Sequence, residues 1–165
     1  MPKRALAEEA PPPAGRQLYE ADEHEWIAAQ ISALTDGQFN RLDRTNLVEY
    51  LSEMTIRDRR ELQSRLTVLL HHLLKVRFQP ERLTRGWITT IIEQQSEIRS
   101  IIDTIPSLGR QAEAIAASAY PDAVRRAARE TGMQASRFPA ALPWTLVEAL
   151  AFDPPEPAPK GKRHI

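Results

Sequence analysis

The sequence predicts an all-α fold, a compact bundle of five to six mostly antiparallel helices between disordered, proline-rich termini. Three observations carry that expectation. Apolar residues recur at helical spacing along most of the 165 residues. Strong strand signals are absent, since the polar insert Glu93-Gln94-Gln95-Ser96-Glu97 between isoleucines fits only a helical period. The segments between periodic stretches are short, which makes sequential helices antiparallel neighbours.

Residues 18–34 put Tyr19, Trp26, Ile27, Ile31 and Leu34 on one stripe. Thr35-Asp36-Gly37 stops that helix, and Gly37 suits a left-handed cap. Asp43 can cap a second helix with Leu47, Val48, Leu51 and Met54 as its apolar face. Thr55 followed by Asp58 resembles a capping box, which predicts a break or kink near Thr55. The third helix carries Leu62, Leu66, Leu69, Leu70, Leu73 and Leu74 and reaches about Phe78, because Pro80 pushes the residue before it out of helical geometry.

A fourth helix holds Trp87, Ile88, Ile91, Ile98, Ile101 and Ile102. Pro106-Ser107 opens a fifth, alanine-rich helix that runs to about Thr131-Gly132 and is kinked or split by Pro121. Pro143, at a first-turn position, starts a last short helix through Leu150. Residues 1–16 and 153–165 read as tails around a single domain of residues 17–152. Pro11-Pro12-Pro13 marks the first tail; four prolines and the basic Lys160, Lys162 and Arg163 mark the second.

Composition narrows the function classes. There is no cysteine, so disulfides, thiolate metal sites and a cysteine nucleophile are excluded. No apolar run approaches the ~20 residues of a membrane span, and no signal-peptide core follows Met1, so the expectation is a cytoplasmic protein with no membrane contact. The formal net charge is zero, which argues against a general coat for nucleic acid. Charge is nevertheless segregated. Residues 20–54 hold eight acids against Arg41 and Arg44, whereas residues 57–85 hold eight bases against Asp58, Glu61 and Glu81. Helices of opposite sign either pack with charged rims facing, the favoured reading, or leave a basic face for phosphate.

Tyr19-Glu20-Ala21-Asp22 with Trp26, Leu42-Asp43 with Asn46-Leu47, Ser64-Arg65-Leu66, His72-Leu73-Leu74-Lys75, Gln79-Pro80-Glu81-Arg82, Trp87, Pro106-Ser107-Leu108 and Glu130-Thr131-Gly132 together resemble a bacterial family called domain of unknown function 29. The resemblance runs from about residue 18 to 152 and implies an all-helical domain with no assigned activity. Members of that family carry an acidic Glu-Glu-Ile-Glu cluster where this chain reads Glu49-Tyr50-Leu51-Ser52, with Glu53 displaced by one position. Any role of that cluster in relatives is expected to be impaired here.

Arg65 and His72 lie two turns apart on one edge of the third helix. An arginine and a histidine so placed resemble the signature of the HEPN helical-bundle ribonucleases, in which the arginine would hold phosphate and the histidine move a proton. Lys75, Arg77, Arg82 and Arg85 are the candidate phosphate-binding residues. Against these stands a structural reading: Glu61 pairs with Arg65 along the helix, and His72 is half-buried and bonded to a neighbouring helix. His71 and His72 point about 100° apart and cannot share a metal, and Glu49 with Glu53 lacks a third ligand, so neither metal nor cofactor is expected. Trp26, Trp87 and Trp144 read as packing residues rather than base-stacking platforms. The leading expectation is a module that binds another macromolecule, either a protein partner or a second copy, with nucleic acid less favoured.

Overall fold

A computed structural model describes residues 15–157. Among these, all regular structure is helical, in seven α-helices and three short 3₁₀ turns. The chain divides into two compact units, the first ending at Ile56 and the second starting at Arg57. The proline-rich stretches 1–14 and 158–165 lie outside the described residues.

The first unit contains α1 (Gly15–Ala21), α2 (Glu23–Thr35) and the start of α3 (Arg44–Phe78). The expected single helix over 18–34 is two. Asp22 adopts an extended conformation and its carboxylate accepts from the Glu25 backbone N–H at 3.0 Å, so it ends one helix and caps the next. α1 also starts at Gly15, inside the stretch expected to be a tail. Gly37, at φ 69°, turns the chain after α2 in the left-handed region that glycine takes without strain.

Asp43 is the hub of this unit. One carboxylate oxygen accepts from the Asn46 backbone N–H at 3.3 Å, capping α3 as expected. The other accepts from the Asn46 side-chain amide at 2.6 Å and from Trp26 Nε1 at 3.3 Å. Its backbone N–H donates to Gln30 Oε1 at 2.8 Å. Trp26 is fully buried, with the Tyr19 ring tilted against it at 4.7 Å and Tyr50 edge-on at 5.6 Å.

α3 runs unbroken for 35 residues. The expected break at Thr55 does not occur, because the Thr55 hydroxyl donates to the Ser52 carbonyl at 2.8 Å instead of capping a new helix. Glu49 and Glu53 of the acidic stretch therefore lie on the same helix as Arg57, Arg59, Arg60, Arg65, Lys75 and Arg77 of the basic one, while the other six acids precede α3.

The second unit is a helical bundle. Beyond α3 it comprises α4 (Arg85–Thr104), α5 (Pro106–Gly109), α6 (Ala112–Thr131) and α7 (Leu146–Ala151). The six leucines expected on the α3 stripe are at most 1% exposed and share one core with Ile91 and Ile98 of α4, Ile115, Ala112, Ala116, Ala119, Ala123 and Ala127 of α6, and Leu150 of α7. Gln95 closes this core polar end by donating to the carbonyls of Ala149 (3.1 Å) and Phe152 (2.8 Å).

Two proline expectations are corrected. α6 passes through Pro121 without splitting; the break comes earlier, between α5 and α6. Pro121 and Ala117, whose carbonyl loses its helical partner, both face solvent, where water can answer that carbonyl. α7 starts at Leu146, not Pro143, because Thr145 and Glu148 form a capping box there.

Asp43→Ala is expected to destabilise the first unit by about 2 kcal/mol, since it removes a cap and strands the Trp26 and Asn46 donors. Urea unfolding followed by tryptophan fluorescence checks this, and an unchanged midpoint would discard the hub.

Candidate functional site

The residues singled out on α3 are already engaged within the second unit. Arg65 Nη2 lies 2.9 Å from Glu61 Oε1, the expected pair, and 3.3 Å from Glu97 Oε2 on α4. A phosphate at Arg65 would have to displace two carboxylates. His72 Nδ1 lies 2.9 Å from the Val68 carbonyl. A carbonyl only accepts, so Nδ1 carries the proton, and the bond falls within α3 rather than to a neighbouring helix. Burial lowers the His72 pKa.

Lys75, expected as a phosphate contact, is buried instead. Its Nζ sits 2.7 Å from Glu130 Oε2 on α6 and 4.0 Å from the centre of the Trp87 ring on α4. Arg77, Arg82 and Arg85 are exposed. The Arg77 guanidinium lies 5.7 Å from the Trp144 ring centre, a cation–π contact, while Arg82 and Arg85 have no charged partner among the described residues.

Beside Lys75 lies a residue that sequence reasoning weighed only as a metal ligand. His71 is 4% exposed, and its Nε2 is 3.1 Å from the same Glu130 oxygen. That approach is close but out of line, so Nε2 makes no hydrogen bond among the described residues. Burial, helped by His72 and Lys75 and opposed by Glu130, lowers the His71 pKa to about 4. Glu130 responds oppositely. Its partial burial would raise its pKa, but the Lys75 hydrogen bond and the charges facing it bring it below the usual value. A stripe position four residues before Lys75 was the available signal for His71; its partner, far along the chain, left none.

The first unit offers a different kind of surface. Among the described residues, Ile31, Leu34, Phe39, Val48, Leu51, Met54 and Ile56 are 42–67% exposed, against only Ile92 and Val147 in the second unit. The stripe on Val48, Leu51 and Met54, expected to be an inward face, is thus uncovered. Glu49 and Glu53 are exposed, and with Glu23 they surround Tyr19, whose hydroxyl pKa is raised by its partial burial and by these carboxylates. Among the described residues no group of three or more His, Asp and Glu is placed to hold a metal ion, and no helix is long and apolar enough to cross a membrane.

Among the described residues these helices define an all-α protein whose first unit exposes several large apolar side chains. Within that class the chain belongs to the family described as domain of unknown function DUF29, which matches residues 18–153. No curated protein and no solved structure matches it.

Two outcomes follow from the buried cluster. His71 is neutral in the fold, so the unfolded chain takes up its proton first as pH falls. Its stabilising contribution is complete above pH 6.5 and is lost as pH drops toward about 4, at most about 3 kcal/mol. Urea midpoints across that range should fall for the wild type and flatten for His71→Phe. Glu130→Gln leaves the Lys75 charge buried without its counter-ion and is expected to cost about 2 kcal/mol at pH 7, discounted because Glu130 is half exposed. A midpoint equal to wild type would show that Lys75 is answered elsewhere.

Proposed function

We propose that this chain is an intracellular, cytoplasmic interaction module that holds another macromolecule against the apolar face of its first unit. The observation that carries this reading is the concentration of exposed large apolar side chains there, seven within residues 31–56. Single exposed apolar residues are ordinary, but a cluster on one small unit marks a contact surface. Burying each Leu, Ile or Val fully contributes about 1.5–3 kcal/mol, so even partial coverage of seven yields a usable affinity.

The ribonuclease reading draws no support from Arg65, which is spent on Glu61 and Glu97, or from His72, bonded within its own helix. Arg82 and Arg85, and Arg77 beside Trp144, are exposed and could meet phosphate, but they are the lesser candidate contact, since they bring charge without comparable apolar area.

A photo-crosslinking amino acid at position 51, introduced in cells that express the protein, tests the proposal. The expected result is a discrete adduct that disappears when Val48 and Ile31 are changed to Ser. A folded protein that yields no discrete adduct from this position would overturn it.

A further inference from the structure

We infer that α7 is a detachable strap, and that its seat on α4 and α6 is a binding site for a short capped helix of a partner protein. The seat lies wholly within the second unit, and its role is separate from that of the first unit's apolar side chains. Gln95 stands between Ile91 and Ile98 on the buried stripe of α4 and is itself 6% exposed. A polar side chain buried there is costly unless it is bonded, a demand that an apolar residue in the same place would not make. Among the described residues its amide nitrogen donates only to the end of α7, to the carbonyls of Ala149 at 3.1 Å and Phe152 at 2.8 Å. Arg99, one turn further along α4, donates to the Leu150 carbonyl. At the other end of α7, the Leu146 backbone N–H donates to Glu113 Oε2 on α6 at 2.8 Å.

These backbone groups are ones that any helix leaves unanswered at its ends, whatever its side chains. The seat therefore reads a short helix by its two ends, and it reads side chains mainly where Ala149 and Leu150 are buried. α7 has only six residues, a length at which a helix persists only when packed. Residues 138–145 before it and 152–157 after it form no helix, so its departure breaks no other helix. With α7 gone, Gln95 is an unpaired amide beside apolar side chains, which favours any incoming helix that returns two carbonyls to it. The pattern required is that of α7: a capping box like Thr145 with Glu148, then a small and a large apolar residue. The tethered α7 competes at an effective concentration on the order of millimolar. A second copy of the same helix gains nothing over it, whereas a partner helix of better fit displaces it.

The test uses the full chain and a labelled peptide of residues 143–153, read by fluorescence anisotropy. Leu150→Ser loosens the resident strap and leaves the seat intact, so this variant is expected to bind the peptide at least about tenfold tighter than wild type. Adding Gln95→Leu should remove that gain, because the peptide carbonyls then go unanswered. A peptide with Val147 and Ala151 changed to Lys should bind as well as the original, since both positions are exposed, and a scrambled one should not bind. In wild type, the α7 amides are expected to exchange hydrogen through an opening that leaves the Leu66–Leu74 amides of α3 protected.

A folded Leu150→Ser chain that binds no peptide would overturn the inference. So would peptide binding unaffected by Gln95→Leu, because the floor would then act only as apolar packing. Exchange of the α7 amides only together with those of the α3 leucines, or failure of Leu150→Ser to fold, would show that α7 is a fixed part of the core. A wild-type dimer in sedimentation that Leu150→Ser dissolves would put a second copy's α7 in the seat and overturn the assignment to a partner protein.

Discussion

The Lys75 ammonium lies inside the second unit, and a buried charge has to be answered where it stands. A carboxylate from α6 and a tryptophan face from α4 answer it, so three helices are fixed against one another around a single atom. Leucine–alanine packing tolerates some sliding; an ion pair over an aromatic ring does not. His71, one turn earlier on α3, lies beside the same carboxylate and is kept neutral chiefly by its burial. Its misaligned nitrogen is the cost of letting Glu130 serve the lysine first.

The first unit is organised on other terms. Its fixed point is a side-chain carboxylate, Asp43, that collects donors from α2 and α3 around one buried tryptophan. With so few residues, two helices cannot both wrap a core and hide every apolar side chain. Trp26 and Ala33 are covered, whereas Ile31, Leu34, Val48, Leu51, Met54 and Ile56 are exposed. The contrast between a unit closed on itself and one left open is what supports the proposal that the latter contacts other molecules.

Much of the helical framework was legible in the sequence because periodicity reports directly on local geometry. The leucine stripe of α3, the cap at Asp43 and the turn at Gly37 all rest on interactions within a few residues. Thr55 misled because a hydroxyl three residues before an acid can equally bond back to Ser52, and local spacing does not choose. Asp22 was missed for the converse reason, a true cap hidden in an acidic run. The candidate surface was half legible: the Val48, Leu51, Met54 stripe shows amphipathicity, but whether anything covers it depends on neighbours that no local pattern specifies. Lys75 and Glu130 are 55 residues apart. Their pairing is a property of the packed bundle, and so Lys75 read as a surface cation.

Between the two packed stretches of α3 lies a bare one. From position 51 to 61 every side chain is exposed except that of Asp58, which is half-buried. Two to three turns of helix there are held by backbone bonds, intrinsic propensity and the Arg59 Nη1 bond to Gln111 Oε1 (2.7 Å), with almost no core behind them, and isolated helix of that length is marginal in water. Amide hydrogens in this stretch can exchange through a local opening that leaves Trp26 and the leucine core untouched. The longest helix of the protein therefore has its weakest link at its middle, not at its ends.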